Sequence, residues 1–145
     1  MQKDFEKFTI SQDAILIRDS KCLILEFTNK PGKWGLPGGR IDKGEMADKA
    51  FRREIREEIG LKEFNIISVV DYDIWYVRDK KPVSGIVCLI ENKKDKIKLS
   101  DEHSDCKWVT EKEAENYVFL WPNALRMIKK GFAYKRLLEK INEQK

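Results

Sequence analysis

The sequence predicts a single domain of the α/β or α+β class in which strands outnumber helices, and three observations predict it. Two short runs rich in Ile, Leu and Ala, Ser11 to Arg18 and Lys21 to Phe27, flank the turn pair Asp19-Ser20 and read as a hairpin. A glycine loop then feeds a helix-forming stretch from Met46 to Ile59 that holds neither Pro nor Gly. Beyond it, Asn65 to Val77 and Pro82 to Glu91 read as two longer strands, and an amphipathic helix closes the chain.

In chain order, Asn29 to Lys33 contains Pro31-Gly32 and must turn, after which Leu36-Pro37-Gly38-Gly39 supplies backbone that can approach a ligand with no Cβ in the way. Gly60 stops the first helix. Asp79-Lys80-Lys81 connects the two long strands, and Lys96 to Leu99 adds a short one. Ser100 to Lys107 reads as a polar loop and Lys107 to Val109 as a strand end. Thr110 and Glu113 have the spacing of a capping box that starts a short helix. Pro122 precedes the last helix, Asn123 to about Lys140, whose Leu125, Ile128, Phe132, Leu138 and Ile141 recur at helical spacing and whose Gly131 is a point of expected breakage.

At 145 residues the chain is one domain's worth, spanning 1–145. Its 41% hydrophobic and 37% charged residues are those of a soluble globular protein, and no run is apolar enough to cross a membrane. Met1 to Lys7 lacks the features of a secretory signal, so a cytoplasmic location is the default expectation. Cys22, Cys88 and Cys106 have no metal-finger spacing, and the first two sit in apolar runs as small core residues. Lys and Arg number 29 against 25 Asp and Glu, a net +4 spread along the chain, too mild for nucleic-acid binding but not repellent to a polyphosphate.

The first helix carries the chemistry. At roughly 100° per residue from Ala47, the apolar residues Ala47, Ala50, Phe51 and Ile55 span about 300° through 0° to 80°; Glu54 near 340° and Glu58 near 20° fall inside that stripe, and Glu57 near 280° lies on its edge. Carboxylates in an apolar stripe persist when paired or bound to a metal, and clustered hard oxygens suit Mg²⁺ or Mn²⁺. The solvated-face reading that serves for most glutamate-rich helices fails here on position.

From Gly39 to Leu61 the sequence matches G-x5-E-x7-R-E-U-x-E-E-x-G-U at every fixed position, with Gly39, Glu45, Arg53-Glu54, Ile55, Glu57-Glu58, Gly60 and Leu61. It therefore resembles the Nudix hydrolase family. Trp34-Gly35-Leu36-Pro37-Gly38 is similar to that family's approach to its box, and Asp101-Glu102-His103 before Trp108-Val109 is similar to its loop carrying an extra acid. The resemblance implies an α/β/α sandwich around a central mixed β-sheet, and a metal-dependent pyrophosphohydrolase. Its substrate would be a nucleoside triphosphate or another nucleoside diphosphate linked to a variable group. It implies Mg²⁺, with Mn²⁺ as the other choice, held by Glu54, Glu57, Glu58 and the Gly39 carbonyl. Arg53 would orient a carboxylate of its own helix, and Glu45 would support the site.

The general base is Glu102 or Glu54; a carboxylate occupied by metal is a poorer base, which favours Glu102. His103 by itself reads as a surface histidine. Gly38 and Gly39 are the expected backbone contacts to substrate. Trp34, Trp75, Tyr76, Phe119 and Trp121 are candidates to stack a base, Tyr76 resembling a tyrosine of diadenosine polyphosphate hydrolases. The proline that marks ADP-ribose hydrolases is absent from Trp75-Tyr76-Val77, against that substrate. The alternatives are a dinucleoside polyphosphate hydrolase and a non-catalytic nucleotide-binding module of the same fold. An intact acid cluster argues against the module, and the even charge spread argues against removal of a 5′ cap from RNA. The expected partner is a small nucleotide, and oligomeric state is open, a homodimer included.

Overall fold

The computed structural model describes residues 2–78 and 81–145. The first hairpin forms as the sequence predicts: strand β1 (Thr9–Arg18) and strand β2 (Lys21–Phe27) pair antiparallel through Ile17↔Cys22 and Arg18↔Lys21. Asp19 (φ 48°) and Ser20 (φ 62°) both take the left-handed conformation, whose twist suits a two-residue hairpin turn. β3 (Trp34–Gly35) pairs with β2, and β4 (Gly38–Arg40) pairs with β1. Helix α1 (Ala47–Ile59) follows. β5 (Asn65–Val77) and β6 (Lys81–Glu91) are antiparallel, while β1 and β6 run parallel from Thr9↔Val83 to Leu16↔Ile90. Of the expected connection Asp79-Lys80-Lys81, Lys81 opens β6 and the other two lie outside the described residues.

The result is a mixed sheet with the path β3-β2-β1-β6-β5, to which β4 adds on β1 and β7 (His103–Val109) on β2. Alternation along the central strands sends successive residues to opposite faces. Ala14, Leu16, Leu23 and Leu25 pack with Phe51, Ile55 and Ile59 of α1. Ile15, Ile17, Cys22 and Ile24 pack with Met127, Ile128 and Phe132 of the last helix, α2 (Ala124–Glu143). This is the α/β/α sandwich. Cys22 and Cys88 are buried in it.

Four expectations need correction. Lys96 to Leu99 is not a strand: the Lys98 N–H donates to the Ile59 carbonyl (2.9 Å) and the Ser100 N–H to the Glu58 carbonyl (3.2 Å), satisfying carbonyls that the end of α1 leaves without helical partners. Most of the polar stretch Ser100 to Lys107 belongs to β7, whose exposed Ser104, Asp105 and Lys107 mark it as a solvent-washed strand at the sheet margin. The short helix is a 3₁₀ turn (Glu113–Asn116); Thr110 Oγ1 accepts the Glu113 N–H at 3.1 Å, as a capping residue does. Finally, α2 runs unbroken through Gly131, where a Cβ would stand 2.6 Å from Ile15 Cγ2, so the glycine lets the helix sit close on β1. The close seat of the helix on β1 offsets the helical penalty of glycine, about 1 kcal/mol.

Candidate active site

Glycines let the loop before α1 lie flat against its neighbours. A Cβ on Gly38 would collide with the Gln12 carbonyl and stand 2.6 Å from Asp13 Oδ1, and one on Gly39 would overlap the Glu54 carboxyl. The Gly38 N–H can thereby reach Glu58 Oε2 at 2.9 Å, tying loop to helix. The wheel arithmetic for α1 holds: Glu58 is 7% exposed and the Glu54 side chain 18%, whereas that of Glu57, on the edge of the stripe, is 57% exposed.

Arg53 organises the acids around this helix. Its Nε and Nη2 take both oxygens of Glu45 (2.8 and 2.7 Å), and Nη1 reaches Glu54 Oε1 at 2.9 Å and Glu57 Oε2 at 3.2 Å. The fork suits planar guanidinium, and a lysine could not reproduce it. That bond to Arg53, helped by the Asp42 N–H, holds the Glu45 carboxyl down to about 2. The acids facing inward shift the other way. Burial pushes Glu58 up to about 8 against the pull of the Gly38 N–H, with Glu54, Glu102 and Asp13 adding repulsion. Burial also raises Glu54, opposed by Arg53.

Glu102 approaches from the opposite loop. The Thr28 N–H bonds its carbonyl at 2.9 Å, and ligand atoms of Glu58, Glu102 and His103 all lie within 4.8 Å of one another. His103 is not a surface residue: it is 5% exposed, because pairing with Phe27 of β2 draws it under the sheet edge, where the two rings lie 5.1 Å apart. Burial lowers its pKa, with Glu102 opposing.

Beside the acids a cleft of about 620 Å³, counted out to its open mouth, is lined by Asp13, Gly38, Gly39, Glu58, Trp75, Trp121 and His103 among others. Gly85 makes room for one wall, since a Cβ there would overlap the Trp75 indole. Trp75 and Trp121 have ring centroids 6.2 Å apart, and the buried Trp75 Nε1 has no hydrogen-bond partner among the described residues. Arg126 of α2 holds Asp71 and Asp73, on the same face of β5 as Trp75, at 3.0 Å each. Of the other aromatic candidates, Trp34 is buried against Tyr117 and Phe119 pairs beside it; neither lines this cleft. Tyr76, next to Trp75 on β5, points by strand parity to the opposite face and is 60% exposed, outside this cleft's lining.

The structure thus brings Gly38, Gly39, Glu54, Glu58 and Glu102 together, keeps Glu57 on the rim with Arg53, and turns Tyr76 away. Sequence reasoning passed over Asp13, a recessed carboxyl that burial raises to about 7. Its signal was an acid immediately before the apolar run Ala14 to Ile17.

A family model of the Nudix domain matches residues 7–130. A nucleoside triphosphatase, NudI, of Salmonella newport (strain SL254) is 34% identical over 102 residues, covering 60% of this chain and 68% of that protein. Among solved structures, a C. elegans Ap4A hydrolase in a binary complex superposes with a TM-score of 0.77 at 22% identity, covering 88% of this chain and 98% of that one. A MutT protein from Methanosarcina mazei Go1 gives 0.75 at 24% identity, covering 92% and 99%. These two likenesses establish the fold, and the matched domain establishes more: the chain belongs to the Nudix hydrolases, enzymes that act on phosphoanhydride bonds.

Proposed function

We propose that the chain is a divalent-metal-dependent pyrophosphohydrolase whose substrate is a nucleoside triphosphate or a related nucleoside diphosphate derivative. The observation that carries this reading is the inward placement of two acids of α1, Glu58 in the wall of a tryptophan-lined cleft and Glu54 against Gly39 of that same wall. The Salmonella relative is a nucleoside triphosphatase, which favours triphosphates within that class.

The residues present fit a hard divalent cation. Glu58, driven up to about 8, lies in a crowd of carboxyls that includes Glu54, Glu102 and Asp13, and a cation among them would restore the charge that burial suppresses. Glu58, Glu57, Glu102 and the Gly39 carbonyl would hold Mg²⁺ or Mn²⁺. Bound there, the ion supplies positive charge to the phosphate oxygens and acidifies a water molecule.

The chain's own groups supply the rest. The Gly38 N–H fixes the Glu58 carboxyl, and Arg53 fixes Glu45, Glu54 and Glu57 in one plane of hydrogen bonds. Of the two candidate bases, we assign the proton of the attacking water to Glu54. Glu102 lies in the trio with Glu58 and His103, where its oxygens serve a cation, whereas burial lifts the Glu54 carboxyl toward the working pH. Trp75 and Trp121 offer apolar faces to a base, and Trp75 Nε1 a donor.

Purified protein with Mg²⁺ or Mn²⁺ is to be assayed against nucleoside triphosphates, dinucleoside polyphosphates, nucleotide sugars and ADP-ribose. Turnover of triphosphates that stops on chelation is the expected result. Nucleotide binding without turnover of any member would instead make the protein a binding module, and turnover confined to dinucleoside polyphosphates would move the substrate class.

A further inference from the structure

His103 is the sole histidine of the chain. It opens β7 immediately after Glu102, with its backbone N–H on the Ser100 carbonyl at 3.2 Å and its ring against Phe27. It is 5% exposed, yet neither Nδ1 nor Nε2 has a hydrogen-bond partner among the described residues. A buried imidazole carries at least one donor or lone pair that must be satisfied, so two orphaned nitrogens call for a group supplied from outside the chain. The ring also lines the cleft and places a nitrogen within 4.8 Å of ligand oxygens of Glu58 and Glu102. Two carboxylates and one imidazole around a common point form the donor set of a divalent transition-metal ion.

We propose that His103 is a nitrogen ligand which, with Glu58 and Glu102, completes a site preferring Mn²⁺ or Co²⁺ to Mg²⁺. The inference rests on reading the acid cluster as a cation site and goes beyond it in naming the ligand and the class of ion. An all-oxygen cage serves Mg²⁺ well, whereas Mg²⁺ gains little from imidazole, to which Mn²⁺ and more strongly Co²⁺ bind readily. The backbone bonds of Ser100 and Thr28 to the Glu102-His103 segment hold both side chains ready before any ion arrives. His103 lies in a half-closed pocket, so the ion would still keep open positions for water and for phosphate oxygens.

A unique histidine makes the test direct. Tag-free protein is loaded with one equivalent of Mn²⁺ and examined by electron spin-echo envelope modulation, with ¹⁴N-histidine and with ¹⁵N-histidine incorporated selectively. The expected result is a directly bound imidazole-nitrogen modulation that changes frequency with the isotope and vanishes in His103→Phe. Titration calorimetry should show that His103→Phe binds Mn²⁺ and Co²⁺ at least ~10-fold more weakly and Mg²⁺ within ~3-fold of wild type. Bound Mn²⁺ without imidazole modulation overturns the proposal, as does an equal loss for all three ions. The wild-type spectra stand even if the variant fails to fold. A protein that binds none of the three ions refutes the metal-dependent reading of the site as well, so the two failures are distinguishable.

Discussion

Glu58 gives the acid cluster a thermodynamic signature that can be measured without substrate. The folded chain holds this carboxyl at about 8 against an ordinary value of 4.5. Between those two values the folded state keeps a proton that the unfolded state has released, so stability falls as pH rises through the window and the loss is complete above pH 8. Moving a carboxyl from 4.5 to about 8 costs up to about 5 kcal/mol once it is fully ionised, and about 3 kcal/mol at pH 7. Glu58→Gln keeps the shape and an oxygen to accept the Gly38 N–H, while removing the charge. A neutral acceptor forfeits roughly 1 kcal/mol of that bond relative to a carboxylate. The variant should therefore be more stable than wild type at pH 7 in EDTA by about 1–2 kcal/mol, and the difference should shrink toward zero or reverse near pH 4.5. Urea unfolding at half-unit steps from pH 4.5 to 8.5 measures this. Saturating Mn²⁺ should stabilise wild type more than the variant and erase the advantage. Parallel pH profiles for the two proteins would refute the reasoning, since they would show that Glu58 does not hold its proton in the folded state.

Glu54→Gln should lower kcat by about 10²–10⁴-fold at saturating metal, which steady-state assays across a Mg²⁺ titration detect. In the same titration, Glu102→Gln should mainly raise the metal requirement; a large loss that no metal concentration rescues would give the proton-accepting role to Glu102. Arg53→Lys breaks the bidentate grip on Glu45 and the bonds to Glu54 and Glu57, and should cost about 10–100-fold in kcat/KM with the fold retained by circular dichroism. Trp75→Ala should raise KM about 10-fold or more while Tyr76→Ala leaves it within ~2-fold; the opposite order would mean that substrate lies on the outer face of β5.

Features that depend on local pattern were legible in advance. The turn pair Asp19-Ser20 announced the hairpin, and helical geometry alone ranked the exposure of Glu57 above that of Glu54 and Glu58. Features set by a distant partner were not. His103 looks solvated because its neighbours Glu102, Ser104 and Asp105 are polar, and only pairing with Phe27 buries it. Asp13 becomes a wall of the cleft because β4 lies beside it, joined through Asp13↔Gly38. Tyr76 and Trp75 are equivalent by composition and differ by one step of strand parity, which register with β6 decides.

Gly131 sets the gauge of the cleft from a position that does not line it. The backbone of α2 rides on Ile15, two residues along β1 from Asp13 and on the same face of that strand. Arg126, on the same helix, grips the strand that carries Trp75, and the helix begins just beyond Trp121. A methyl group at Gly131 must therefore lift the helix or push the strand, and either movement changes the spacing between the two tryptophans and the acid floor. The width of the aperture is written into a helix–strand contact, so selectivity among substrates can drift through substitutions at Gly131 or Ile15 that leave every acidic side chain in place.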